Sequence, residues 1–317
     1  VTAMTEEEHA ESTRINAQLK EMLARRLPEP GDYPTAVDGL TLLRREASSH
    51  SGRCYEKPLA AFIIQGSKRS FFGTHEYVYA EKQCLVAGIG MPASYQTLPA
   101  SPERPFLSIF FYLDTALLDD LSRSMPDAVR TSAGDCGAVA VADTPPQLLD
   151  GLLRLIRLLD KPEHIPVLAP MLKRELHYYL LAGPYGNLLR QLNTQGLQGT
   201  AVANVMDWLH DNLRNPISID DIAGRSGMSA ATLHRYFKRL TGLSPMQYVK
   251  QLRLCEAQRL MLAEHERATD AARSVGYESV PQFNRDYKRL FGAPPHKDVQ
   301  RRRDSRDMSS IVDVTTA

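Results

Sequence analysis

The stretches DIAGRSGMSAATLHRYFKRLTGLSP (Asp221–Pro245) and DAARSVGYESVPQFNRDYKRLFGAPP (Asp270–Pro295) are two versions of one pattern. Asp221, Ala223 and Gly227 recur 49 residues later as Asp270, Ala272 and Gly276. One residue is then gained, and Leu233, Arg235, Phe237, Lys238, Arg239, Leu240, Gly242 and Pro245 recur as Phe283, Arg285, Tyr287, Lys288, Arg289, Leu290, Gly292 and Pro295. A short helix, a Gly turn and a basic helix, given twice, suits a protein that sets two reading heads on one duplex.

In the first unit Ile219, Ile222 and Ala223 form the inner side of a short helix, and Gly227 supplies the positive φ of a tight turn. Ser229 is placed to cap a second helix. On it Leu233, Tyr236, Phe237 and Leu240 follow an i, i+3, i+4, i+7 spacing and face inward. Ala231, His234, Arg235, Lys238 and Arg239 are left outside, early residues for base edges and later cations for phosphates. The second unit repeats the design. Gly276 turns, Ser279 and Gln282 form an S-x-x-Q capping box, and Pro281 falls in the first helical turn, where it costs little. Val280, Phe283, Tyr287 and Leu290 make the inner stripe; Gln282, Asn284, Arg285, Lys288 and Arg289 face outward.

Between the units a helix starts at Ser244-Pro245 and meets no breaker until about Ala263. At about 1.5 Å per residue it spans roughly 28 Å, comparable with the roughly 34 Å between successive major grooves on one face of B-DNA. Apolar residues lie almost all round it, as packing against both motifs demands, and Cys255 in its middle reads as a small core residue.

Charge follows the repeat. Residues 200–303 hold 17 Lys and Arg against 11 Asp and Glu, whereas residues 1–199 hold 20 against 23, inside a chain of net charge +1. A basic segment of that size meets polyanions or forms a solvated face. The chain's 317 residues suit about two domains. Its longest apolar stretch, Leu148–Leu159, is broken by Asp150, Arg154 and Arg157, so no membrane span is expected. The acidic opening at Glu6–Glu8 does not read as a signal peptide, and translation is expected to start at Val1 or Met4. Cys54, Cys84, Cys136 and Cys255 are scattered without a C-x-x-C pair, which fits a cytoplasmic protein without a zinc site.

Upstream, residues 5–27 have helical spacing and end at the turn Pro28–Gly31. From Leu40 to about Leu113, short apolar runs punctuated by Gly66, Gly73 and Gly90 indicate a β-sandwich or small barrel. Leu148, Leu152, Leu155 and Leu159 then step by four, three and four. Such a stripe either packs on the β-domain or forms a dimer seam. Residues 164–192 read as a further helical pair broken at Gly183-Pro184, residues 193–200 (NTQGLQGT) as a linker, and residues 304–317 as a disordered tail.

Residues 200–303 resemble the DNA-binding domain of AraC/XylS-type transcription regulators, two helix-turn-helix motifs joined by a long helix; VGYESVPQFNRDYKRLFGAPP (Val275–Pro295) is close to that family's signature. The resemblance implies base-edge contacts from Ala231, His234 and Arg235 in one motif and Pro281, Gln282, Asn284 and Arg285 in the other. It implies phosphate contacts at Ser229, Lys238, Ser279 and Lys288, which Arg239 and Arg289 accompany. Ala231 is smaller than the residue many members carry there, so the first motif is expected to read fewer bases. Residues 32–190 resemble the amino-terminal module of one subgroup, a cupin-like barrel followed by helices, through Tyr55–Arg69, Phe106–Asp114 and Leu168–Gly186. In that family such barrels bind small effectors and the adjoining helices dimerise.

The expected fold is therefore α+β. Residues 1–31 form a helix and turn, 32–192 a cupin-like effector-binding and dimerisation domain, 193–200 a linker and 201–303 an all-α domain of two helix-turn-helix motifs. The expected function is an effector-responsive activator acting as a homodimer on promoter DNA with RNA polymerase, without cofactor, metal or membrane. Gln65, Tyr77, Tyr79, Tyr95 and Gln96 are the candidates for an effector pocket, with core packing as the alternative for the tyrosines. Cys54, beside Arg53, is either an ordinary thiol or a sensor. Two other readings compete: a barrel that only dimerises, and a cupin-type enzyme with an accessory DNA-binding domain. Only His50 and His75 occur in the barrel segment, short of the three or four ligands a metal cupin uses.

Overall fold

The computed structural model describes residues 4–48, 50–51, 55–126, 137–193 and 198–306. The first helix, α1 (Glu6–Arg26), begins on a capping box between Thr5 and Glu8. Its acidic first turn and its terminal Arg25 and Arg26 both complement the helix dipole. Ile15, Leu19 and Leu23 fall on one face and are buried.

Among the described residues ten strands follow, all paired antiparallel: β1 (Gly31–Pro34), β2 (Leu40–Arg45), β3 (His50–Ser51), β4 (Leu59–Gln65), β5 (Ser67–Phe72), β6 (His75–Ala80), β7 (Gln83–Ala87), β8 (Ala93–Thr97), β9 (Phe106–Tyr112) and β10 (Val139–Asp143). One sheet has the order β1-β2-β9-β4-β7-β10 and the other β3-β8-β5-β6. The nearly continuous apolar sequences of β4 (LAAFIIQ) and β9 (FLSIFFY) place them as neighbours in the middle of the larger sheet, covered on both faces. In β5, by contrast, burial alternates, so that Lys68, Ser70 and Phe72 point inward. The register sets Ser70 opposite Tyr77 and Tyr95, and Lys68 opposite Tyr79 and Thr97. These side chains therefore share the inner face.

Between β9 and β10 lies α2 (Thr115–Ser124), and three helices close the domain: α3 (Pro146–Leu158), α4 (Ile165–Ala182) and α5 (Gly186–Asn193). The leucine stripe of α3 is spent within the chain. Leu148 and Leu152 are wholly buried, Leu155 is 1 % exposed, and Leu159 packs partly buried on the same core. Because α3 lies between α1 and α4, the dimer-seam expectation for these residues is corrected to internal packing.

The remaining elements among the described residues are helices: α6 (Gln198–Asp211), α7 (Ile219–Ser226), α8 (Ala230–Thr241), α9 (Pro245–Ala263), α10 (Ala268–Ser274), α11 (Val280–Phe291) and α12 (Pro295–Arg306). Two boundaries differ from expectation. The first turn of α6 falls inside the expected linker, and Gly199 packs so closely that a Cβ would lie 2.2 Å from the Gln191 carbonyl oxygen. At the other end α12 runs three residues past position 303; residues 307–317 lie outside the described residues.

The buried apolar side chains form two cores, divided unexpectedly. One runs from α1 through the β-domain into α6–α8 and the first part of α9, as far as Leu252. The other starts at Leu254 and holds α10, α11 and α12. The first motif thus shares a core with the β-domain, while the second has its own.

Candidate nucleic-acid interface

Each motif is built from a helix stop, a turn and a helix start. At the end of α7 Gly227 takes φ +63° and its N–H reaches back to Ala223 and Gly224. At the corresponding turn Gly276 takes φ +82°. Any side chain there would meet the left-handed penalty of about 1–2 kcal/mol. Ser229 and Ser279 then start the reading helices by accepting the N–H groups of Thr232 and Gln282.

On α8 Leu233 and Phe237 are fully buried and Leu240 nearly so. Tyr236, expected inside, is half-buried and hydrogen-bonds Gln198 at the start of α6. Ala231, His234, Arg235 and Lys238 are exposed on one face. Lys238 Nζ also donates to the Gly242 carbonyl (2.8 Å), closing its own helix end. Arg239 is half-buried, its guanidinium 4.3 Å over the Tyr236 ring, and so stands at the edge of that face.

On α11 the matching face carries Pro281, Asn284, Arg285 and Lys288, all exposed, flanked by Gln282 and Arg289. Phe283 and Tyr287 are buried. Two expectations are corrected here. Leu290 is 37 % exposed, and the third buried position belongs to Asp286, which meets Lys250 of α9 at 3.1 Å. The packing stripe turns toward α9 and continues into Phe291, which packs half-buried beside Tyr287, leaving Leu290 outside. The capping box is half-formed: Ser279 Oγ accepts the Gln282 N–H at 3.4 Å, without a return bond from the Gln282 side chain among the described contacts.

The support of this face was not legible as a motif. Asp298 of α12 is completely buried and accepts hydrogen bonds from Gln258 of α9, Tyr287 of α11, Arg301 and Arg302. One carboxylate thus fastens three helices. In the first motif Arg225 of α7 lies 4.0 Å over the Trp208 ring of α6.

Besides the shared core, polar and ring contacts join the β-domain to α8 and to its neighbours α6 and α9. The Thr74 N–H donates to the Thr241 carbonyl (3.3 Å) and the Tyr248 hydroxyl to the Gly90 carbonyl (2.9 Å). Tyr55 stacks on His210 with centroids 3.9 Å apart and planes 10° apart. Its hydroxyl points at Asp207, whose carboxyl is held above its usual range by burial and by Asp211. The exposed face of α8 lies toward the start of that helix, whereas Thr241 is its last residue. Docking therefore leaves the reading face open.

The pocket candidates part company. Tyr79 is buried with its hydroxyl 3.2 Å from Ser70 Oγ, Tyr95 is buried under Lys68 Nζ (3.7 Å to the ring centroid), and half-buried Tyr77 lies on the same inner face. Burial pushes the Tyr77 and Tyr79 phenols up. Two expectations fall away. Gln96 pairs with Arg69 on the opposite face, since strand neighbours alternate. Gln65 spends its amide on the Pro105 carbonyl (2.7 Å), pinning β4 to the loop before β9. The inner-face cation Lys68 and the nearby Arg45–Asp32 ion pair were missed, because isolated basic residues in a strand resemble solvent-facing ones. Cys54 lies outside the described residues.

Residues 36–188 match the family described as AraC-type transcriptional regulator N-terminus, and residues 222–301 match a helix-turn-helix domain family. The multiple antibiotic resistance protein MarA of Escherichia coli (strain K12) is 31% identical over 106 residues, covering 33% of this chain and 84% of MarA. The chain belongs to the AraC/XylS family of transcriptional regulators. Another similar protein is the transcriptional activator RhaS of Escherichia fergusonii, 33% identical over 102 residues, or 32% of this chain and 36% of RhaS. The fold matches the crystal structure of unsaturated fatty acid bound ToxT from Vibrio cholerae with a TM-score of 0.53 at 10% identity, covering 82% of this chain and 93% of ToxT. As an AraC/XylS protein it is a DNA-binding transcriptional regulator, which removes the enzyme reading. Among the described residues no helix is long and apolar enough to cross a membrane.

Proposed function

We propose that this regulator is a cytoplasmic, effector-responsive activator that binds promoter DNA with α8 and α11 and contacts RNA polymerase as a homodimer. Base edges are read by Ala231, His234 and Arg235 in one groove segment and by Pro281, Gln282, Asn284 and Arg285 in the next. Phosphates are held by Ser229, Lys238, Arg239, Ser279, Lys288 and Arg289. The exposed, matching faces of the two helices support this assignment.

The observation that carries effector control is the shared core: the first motif packs on the β-domain, so a change inside that domain bears on α8 through α6 and α9. A ligand shifts such an arrangement only through unequal affinity for its states. Tyr77, Tyr79 and Tyr95 remain the pocket candidates, joined by Lys68 and Arg45. ToxT has been solved with an unsaturated fatty acid, and the basic groups Lys68 and Arg45 about the Tyr95 ring suit a small acid here too. For the homodimer the exposed side of α4 replaces α3: Val167, Leu168 and Met171 are 68 %, 42 % and 65 % exposed. The β-domain is set to end at α5 and the DNA-binding domain to begin at α6, a limit drawn by the helix-turn-helix pattern rather than by the cores, which divide within α9.

A thermal-shift screen of small organic acids and neutral metabolites on the whole chain tests effector control. A saturable rise in melting temperature that Lys68→Met abolishes, with matching change in DNA affinity, is expected. A flat screen supports the barrel that only dimerises.

A further inference from the structure

Arg253 stands in the middle of α9, at the place where the two cores divide: Leu252 belongs to one and Leu254 to the other. Its guanidinium bridges that division. Nε donates to the Leu213 carbonyl (3.1 Å) and Nη2 to the Asn215 carbonyl (2.9 Å), both in the loop leading from α6 into α7. Nη1 donates to the carbonyl of Gly276, the turn residue of the second motif (3.2 Å). Among the described residues it forms no ion pair, so three backbone carbonyls are what hold this half-buried cation. Burial correspondingly lowers its pKa. The fit is close, since a Cβ on Gly276 would lie 3.2 Å from both the Arg253 guanidinium and the Arg214 carbonyl oxygen.

We propose that Arg253 is a positioning residue that fixes the separation and relative twist of α8 and α11, and through them the spacing between the two half-elements that one chain accepts. The proposal rests on the reading of α8 and α11 as the DNA readers. A helix joining two separate cores sets a distance but resists roll weakly. Three hydrogen bonds from one planar, rigid fork, aimed at turns on either side of the division, oppose that roll. Inserting one base pair moves the second half-element by about 3.4 Å and roughly a tenth of a turn. A braced pair cannot follow both half-elements, whereas an unbraced pair can.

The test uses the full chain and a duplex site obtained by its own selection from random DNA. Affinity is measured by fluorescence anisotropy on that site and on versions lengthened or shortened by one base pair between the half-elements. Wild type is expected to lose about 30-fold or more on either altered site, comparable with one or two mismatched base pairs. R253A is expected to bind the selected site more weakly and to lose less than about 5-fold on altering the spacing. R253K should behave likewise, because one ammonium cannot reproduce the planar fork, and it carries the test if circular dichroism shows R253A unfolded. R285A is expected to keep the spacing penalty while relaxing a base preference. Folded R253A and R253K with the wild-type spacing penalty overturn the proposal alone. A wild-type chain indifferent to spacing overturns both this proposal and the two-reader arrangement.

Discussion

The Tyr248 hydroxyl, near the start of the helix joining the two motifs, donates to the Gly90 carbonyl of the β-domain at 2.9 Å. Both partners are buried, and burial raises the phenol pKa far above its ordinary value, so the group remains a donor across the physiological range. Tyr248→Phe keeps the ring and its edge contact with Phe237 while leaving the carbonyl unpaired. A loss of about 1–3 kcal/mol in urea unfolding is expected, with DNA affinity changed through the domain contact. A variant as stable as wild type, with wild-type DNA affinity, removes this bond from the coupling between the domains.

Asp298 offers a prediction confined to the second motif. With Gln258, Tyr287, Arg301 and Arg302 gathered on one fully buried carboxylate, Asp298→Ala leaves donors without an acceptor. Breaking a buried charged network from one side costs about 3–5 kcal/mol. Hydrogen exchange should accelerate in α11 and α12 and stay near wild type in β4 and β9. Uniform acceleration across both domains contradicts the separation into two cores.

His177 gives the protein a pH-dependent margin. Its Nε2 accepts the Asp114 N–H (2.9 Å) and its Nδ1–H donates to the Lys173 carbonyl (2.7 Å), an arrangement that uses the neutral ring. Burial lowers its pKa. Since the folded value lies below the unfolded one, near 6.5, this contribution is complete above about pH 6.5. It declines as pH falls toward the folded value, by at most about 1.4 kcal/mol per pH unit for one group. His177→Gln retains an acceptor and a donor and is expected to flatten unfolding free energy between pH 7.5 and 5.5. The same slope in both proteins assigns the pH response to other groups.

Much of this molecule was readable from residue order because its most informative part is repeated. Gly227 and Gly276 fix two turns, Ser229 and Ser279 fix two helix starts, and the apolar spacing fixes which faces turn outward. Strands β4 and β9 were visible as apolar runs, though not as sheet neighbours. What escaped reading depends on partners distant in sequence. Asp298 looks like any acidic residue in a charged helix until Gln258 and Tyr287 are brought to it. Arg253 looks like a surface cation until two turns close over it. Tyr55 and His210, 155 positions apart, carry no local sign of stacking. Leu148, Leu152 and Leu155 left two readings open, since heptad-like spacing specifies a buried stripe but not whether α1 and α4 or a second chain bury it.

The two readers differ where bases would be met, so one chain should see two unlike half-elements about one DNA turn apart. The most direct measurement is hydroxyl-radical footprinting on a selected site, with Arg285→Ala and Lys288→Ala alongside wild type. Two unlike protected segments on one face of the duplex are expected. Arg285→Ala should weaken binding by about 1–3 kcal/mol and relax one base position in one segment only. Lys288→Ala should weaken all sequences alike and lower the salt dependence by about one phosphate contact. A single protected segment, or an Arg285→Ala protein with unchanged base preference, contradicts the two-reader arrangement.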